Sequence, residues 1–190
     1  MGTPRLETQR LILREFTKAD APALLELLKD VEVNTFLPWF PLQSIAQAQA
    51  FYRERIAGRP YFYAICPKGA ETPVGYIQAD AGEGHDFGYA LGKAYWHRGY
   101  MTEAGRALLD QLRKDGVPYV TATHDIRNPR SGGVMRRLGM RYQYSYEEQW
   151  QPKDFLVTFR MYQLNLDGKE DRVYRKYWEL YDRHFVEADV

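Results

Sequence analysis

The stretch Phe87-Gly88-Tyr89-Ala90-Leu91-Gly92-Lys93-Ala94-Tyr95-Trp96-His97-Arg98-Gly99-Tyr100-Met101-Thr102-Glu103-Ala104 constrains this chain most. Phe87 to Leu91 is apolar and aromatic, as a buried strand requires. From Thr102 onward, Ala104, Ala107, Leu108 and Leu112 fall at helical spacing. The join between strand and helix is a short turn whose one flexible position is Gly99. Such a turn gathers several backbone N–H groups, and the positive end of the helix dipole adds to them, making a seat for a pyrophosphate. Many α/β proteins contain a strand–turn–helix that binds nothing, so the rest of the chain has to decide.

A chain of 190 residues makes one domain with a full core. Aromatic residues reach 15%, and most of them are expected to fill the core and cover the surface. A net charge of +1 leaves no whole-chain footprint for nucleic acid. One cysteine, Cys66, excludes an internal disulfide and lies in an apolar run as a buried filler. No apolar run is long enough for a membrane span, and Met1-Gly2-Thr3-Pro4-Arg5 does not begin a signal peptide, so a cytoplasmic location is expected.

Arg10 to Arg14 alternates charged and aliphatic residues and suits a first strand. Thr17 with Asp20 three residues on forms a capping box for a helix bearing Leu24, Leu25, Leu27 and Leu28. Asn34 to Pro41 is a proline-broken loop dense in aromatics. Ser44 caps a helix over about 45–56. Strands over 61–66, 74–79 and 87–91 with short turns between them imply an antiparallel meander. A helix from about 102 to 115, a strand over 117–123, a helix opened by Pro129 and ended at Gly139, and two long final strands complete the pattern. His124 and Asp125 are adjacent on a strand and therefore face opposite ways, which argues against a dyad. Tyr174, Tyr177, Trp178, Tyr181 and Phe185 then recur at three- and four-residue spacing, which predicts an amphipathic helix with an aromatic face. Such a face needs cover from its own domain, from a second subunit in a homodimer, or from another partner.

Gly88-Tyr89, Trp96 to Ala104, Asn128 with Ser131, and Leu138-Gly139-Met140, in this order and spacing, resemble the GNAT superfamily of acyl-CoA-dependent N-acyltransferases. The start, Leu6 to Arg14, is similar to the branch containing the bacterial ribosomal-protein N-terminal acetyltransferases. The resemblance runs from about Leu6 to Leu166 and implies an α+β fold. It predicts a mixed, mostly antiparallel central sheet of about seven strands flanked by about four helices. Residues 1–166 would form the acyltransferase domain, and 167–190 an extra C-terminal amphipathic helix outside the family's usual span.

The resemblance also assigns roles. Acetyl-CoA would be the co-substrate. The strand at Ala90 and Leu91 would splay from its neighbour and pair with the pantetheine arm. His97, Arg98, Gly99, Tyr100, Met101 and Thr102 would cradle the pyrophosphate. Asn128 would bond near the arm or the reacting centre, and Ser131 would give a proton to the departing thiolate. A hydroxyl in a helix's first turn also bonds local backbone, so Ser131 has a purely structural alternative. Trp39 and Phe40, on the loop that borders the acceptor side in this family, are candidates for substrate contact or for packing the loop down. The family's pattern commonly has Gln or Arg at Trp96 and Gly or Ala at Met101. Many members carry a Tyr acid at the position of Met135, and a thioether has no proton to give. His85, Asp86, His124 and Glu147 are within the range of a cleft mouth, and none stands out as the general base. Two function classes remain open at this point. One is an N-acetyltransferase acting on a protein N-terminus or a small amine. The other is a non-catalytic acyl-CoA sensor or interaction module. A plain nucleotide-binding α/β domain would need parallel strands throughout.

Overall fold

The computed structural model describes residues 3–190; Met1 and Gly2, at the head of the stretch tested above for a signal peptide, lie outside them. Among the described residues the strands are β1 (Leu6–Glu7), β2 (Leu11–Glu15), β3 (Phe62–Pro67), β4 (Gly75–Ala79), β5 (Phe87–Leu91), β6 (Tyr119–Asp125), β7 (Arg141–Trp150), β8 (Phe155–Asn165) and β9 (His184–Phe185). The α-helices are α1 (Ala21–Lys29), α2 (Val31–Asn34), α3 (Ile45–Phe51), α4 (Tyr100–Lys114), α5 (Pro129–Arg137) and α6 (Lys176–Leu180). The expected single sheet is instead two, ordered β1-β2-β3-β4-β5 and β6-β8-β7-β9, and every strand pair within them is antiparallel. They meet where β5 runs beside β6 through one parallel bridge, Asp86 to Thr121. Beyond that bridge the two strands part, and a wedge opens between the sheets.

Alternation along β2 sorts the core. Leu11 and Leu13 join Ile65, Ile77, Phe87 and the buried stripe of α4, Ala104, Leu108 and Leu112. Ile12 faces the other layer, where α1, α3, Phe62 and Tyr76 pack. Cys66 is buried there, as its apolar surroundings imply. The capping box at Thr17 is present, with the Thr17 amide donating to Asp20 Oδ2 at 2.7 Å. It opens a 3-10 turn, Lys18–Asp20, ahead of α1. Ser44 Oγ caps α3 by accepting from the Gln47 amide at 3.2 Å.

The tail departs from the sequence expectation. Instead of one helix through Phe185, only Lys176–Leu180 is helical, and Tyr181 turns to extended backbone. His184 and Phe185 pair with Tyr146 and Ser145, adding β9 to the second sheet. The aromatic residues cover β7 of the same chain. The Tyr144 hydroxyl donates to the Tyr174 carbonyl at 2.8 Å, and Tyr146 stacks on both Tyr177 and Tyr181, each with centroids 4.9 Å apart. Of the predicted aromatic face, Tyr174 is buried and Tyr177, Trp178 and Tyr181 are partly buried against the chain's own sheet, while Phe185 stays exposed.

Candidate active site

The wedge between β5 and β6 is the floor of a cleft of about 1290 Å³. Its shape follows from β-sheet register. Gly92 donates to Val74 and Asp80 donates to Asp86, so Asp86, Gly88, Ala90 and Gly92 turn their polar main-chain groups toward β4. The N–H and C=O groups of Tyr89 and Leu91 therefore face the wedge. The Leu91 carbonyl is taken by the Trp96 indole at 2.7 Å, which gives that unusual tryptophan a local task. Ala90 lines the cleft, but its own main-chain groups serve the ladder to Tyr76, which moves the expected edge pairing onto Tyr89 and Leu91.

At one end stands the N-terminus of α4. Gly99 adopts φ +76°, a conformation open to glycine, and lets the chain enter the helix without a side chain in the way. Among the described residues, the N–H groups of Gly99, Tyr100, Met101 and Thr102 have no protein acceptor. His97, Gly99, Tyr100, Met101 and Thr102 line the cleft. The Met101 side chain is buried in the core, so it does not block the backbone. Arg98 lies outside the lining; its guanidinium sits over the Tyr95 ring and its carbonyl accepts from Arg10 Nη1 at 2.9 Å.

Sequence reading did not single out Arg10, yet it fixes this turn. It bonds Glu103 through its backbone N–H at 2.9 Å and its Nε at 2.7 Å, and its guanidinium lies 4.6 Å from the Tyr100 ring centre. Burial raises the Glu103 carboxyl, but bonds from Thr8 and Arg10 outweigh it and hold the group below the usual range. Glu103 is thereby a structural clasp rather than a base.

Asn128 Oδ1 caps α5 by accepting from the Ser131 amide at 3.3 Å. Ser131 Oγ lies 2.8 Å from the Tyr89 hydroxyl, which also reaches the Ser131 carbonyl at 3.0 Å. Burial pushes the Tyr89 phenol well above its ordinary value, so it keeps its proton at neutral pH. Tyr89 is a hydroxyl at Ser131 that sequence reading did not single out. Its signal was the period of two along β5, where Phe87, Tyr89 and Leu91 share the face toward α4 and α5.

Trp39 lines the cleft, packed edge-on against Phe51 at 4.9 Å, whereas Phe40 is 60% exposed and outside the lining. At the far end of the cleft Asp86 and Glu148 stand among Tyr146, Trp150, Phe159, Tyr177 and Tyr181. Desolvation, with a smaller push from Asp80, raises the Asp86 carboxyl to about 7. Desolvation likewise raises Glu148, against a smaller opposing influence of the nearby Tyr181 hydroxyl. His124 lines the cleft as well, but burial lowers its pKa and its Nδ1 bonds the Asp125 carbonyl oxygen at 2.8 Å. The Asp125 carboxylate is committed to Arg127, so no His–Asp dyad forms. His85 and Glu147 stand outside the lining, and Glu147 pairs with Arg183.

Two splayed strands lead from unpaired helix N-terminal amides to a pair of facing hydroxyls, a site shaped like that of an acyltransferase. The free amides suit a diphosphate, and the unpaired main-chain groups of Tyr89 together with the Leu91 amide suit an arm bearing amides of its own. A family model described as "Acetyltransferase (GNAT) domain" matches residues 10–141, and the chain belongs to that family. A curated relative, the uncharacterized N-acetyltransferase p20 of Bacillus licheniformis, is 27% identical over 55% of this chain and 64% of its own length. The chain thus spans slightly under two thirds of that relative. A GNAT-family acetyltransferase structure from Bacillus anthracis superposes with a TM-score of 0.77 at 20% identity, over 87% of this chain and all of the other. The ribosomal alpha-N-protein acetyltransferase RimL, solved in complex with coenzyme A, gives 0.70 at 18% identity over 87% of this chain and 99% of its own. No helix among the described residues is long and apolar enough to cross a membrane.

Proposed function

We propose that this protein moves an acetyl group from CoA to a primary amine, either the N-terminus of a protein or a small amine, by direct attack in a ternary complex. One observation carries the reading. The free amides of Gly99 to Thr102, the Tyr89–Ser131 hydroxyl pair and the raised carboxyl of Asp86 lie along one continuous cleft. Acetyl-CoA supplies the acyl group as a thioester. Gly99 to Thr102 hold its diphosphate, and Tyr89 and Leu91 hold its arm, with Asn128 at the turn into α5. Alignment of the two reactants is worth up to about 7–11 kcal/mol in well-aligned cases.

Asp86 takes the proton from the incoming ammonium, a transfer suited to a carboxyl near neutral pKa. The Tyr89–Ser131 pair returns a proton to the sulfur as the carbon–sulfur bond breaks. Direct attack needs no nucleophile from the protein. Cys66 is buried in the layer beneath α1 and α3 and does not line the cleft. A protein acceptor gains support from the likeness to RimL, and a small amine from the closed aromatic end of the cleft. The test is an amine panel, with free CoA thiol followed against time and the acetylated product weighed by mass spectrometry. Intersecting initial-rate lines are expected. Acetyl-CoA binding with no transfer to any amine would favour the sensor instead.

A further inference from the structure

We infer that the C-terminal segment Tyr177 to Tyr181 is the acceptor wall of this enzyme, and that it selects amines carrying one ammonium a short linker away from a flat apolar group. The inference deepens the N-acetyltransferase reading and rests on it. The walls at the far end of the cleft are rings: Tyr146 and Trp150 from β7, Tyr177 and Tyr181 from the tail. The tail pair is held in place by stacking on Tyr146 at 4.9 Å, with interplanar angles of 14° and 8°. The other wall residues are Asp86 and Glu148, and they are not equivalent. Glu148 lies beside the Tyr181 hydroxyl, whose pKa its charge helps to raise, and so belongs to the tail side of the wall. The Asp86 carboxylate accepts no hydrogen bond from any described residue and has no described cation within ion-pair distance; only the residue's main chain is bonded, to Asp80. A carboxylate in partly desolvated, aromatic surroundings is costly without a cation. One ammonium satisfies it, and aromatic faces nearby favour both that cation and a flat group attached to it. A single open carboxylate suits a singly charged amine better than a polyamine. Apart from Asp86, every residue in this wall lies beyond residue 141, where the family match ends.

The test uses the full chain loaded with CoA. Phenethylamine, hexylamine, spermidine and two short peptides with Phe or Ala at the N-terminus are titrated by calorimetry, and each is assayed for acetylation. Phenethylamine is expected to bind about tenfold tighter than hexylamine, and the Phe peptide tighter than the Ala peptide. Tyr177→Leu and Glu148→Gln are expected to erase most of that ratio while CoA affinity stays unchanged. Glu148→Gln preserves shape, so it decides the matter if Tyr177→Leu fails to fold. Equal binding of phenethylamine and hexylamine, tighter binding of spermidine, or a ratio that survives Glu148→Gln overturns the inference. Acetylation of all amines at one efficiency sinks the wall and leaves the transferase reading intact. Selective binding without acetylation does the reverse.

Discussion

The Tyr89 hydroxyl on β5 lies 2.8 Å from Ser131 Oγ at the start of α5, joining the two sides of the wedge where the thioester would sit. If the two act as one proton-delivery unit, Ser131→Ala and Tyr89→Phe should each lower kcat by about 10²-fold with little change in acetyl-CoA affinity. The double variant should cost much less than the product of the two, because groups acting as a unit are not additive. Steady-state kinetics with calorimetric CoA binding checks this. Unchanged turnover in Ser131→Ala would leave its hydroxyl a helix-capping group.

Gly99→Val should abolish acetyl-CoA binding. At φ +76° a β-branched residue is strained, and relief of that strain would turn the helix amides out of the cleft. Arg10→Met should weaken binding by a smaller factor, since the turn then loses its tie to Glu103 and to the Arg98 carbonyl. Isothermal titration with acetyl-CoA measures both, and far-UV circular dichroism confirms that the helices persist.

Asp86 gives a pH signature. A base with its pKa near 7 is productive only when ionised, so kcat/KM should rise through that region and level above it. Asp80, Tyr76, Tyr146, Tyr174 and Tyr177 lie near enough to the carboxyl to interact with it, and Asp80 is the other carboxylate among them. Asp86→Asn should remove the inflection and slow turnover by about 10²-fold or more. Stability carries the opposite sign to activity. Between the unfolded carboxyl's ordinary value of 3.8 and about 7 the native state binds more protons, so stability falls as pH rises through that window. In Asp86→Asn that part of the slope should vanish, as thermal unfolding against pH would record.

Gly132 lies against His124, and a Cβ there would stand 2.6 Å from His124 Nε2, an atom with no hydrogen-bond partner. Gly132→Ala should therefore lower stability by about 1–3 kcal/mol, because a packed ring has to move. Denaturant unfolding measures it. Cys66→Ala, by contrast, should leave kcat unchanged, consistent with direct attack and no cysteinyl intermediate.

Much of this fold was legible in local pattern. The alternation of Leu11, Ile12 and Leu13, the box at Thr17, the stripe from Ala104 to Leu112 and the proline opening α5 each carry their structure within a few residues. The tail was misread because its aromatic spacing fits a helix, while burial on β7 and pairing of His184 with Tyr146 stabilise another path. The four-residue α2 was missed because no apolar period fits so short a turn; its signal was Asp30, whose side chain caps Glu32 and Val33. In the site, the glycine turn and Ser131 could be found by motif. The Tyr89–Ser131 contact and the Arg10–Glu103 clasp could not, since each depends on contacts between residues far apart in the chain.

A crystal structure of the protein with acetyl-CoA tests the central claim most directly. The diphosphate is expected on the amides of Gly99 to Thr102, the arm along the open edge of Tyr89 and Leu91, and the thioester sulfur beside the Tyr89–Ser131 pair. Acetyl-CoA bound elsewhere, with the wedge between β5 and β6 vacant, would contradict it.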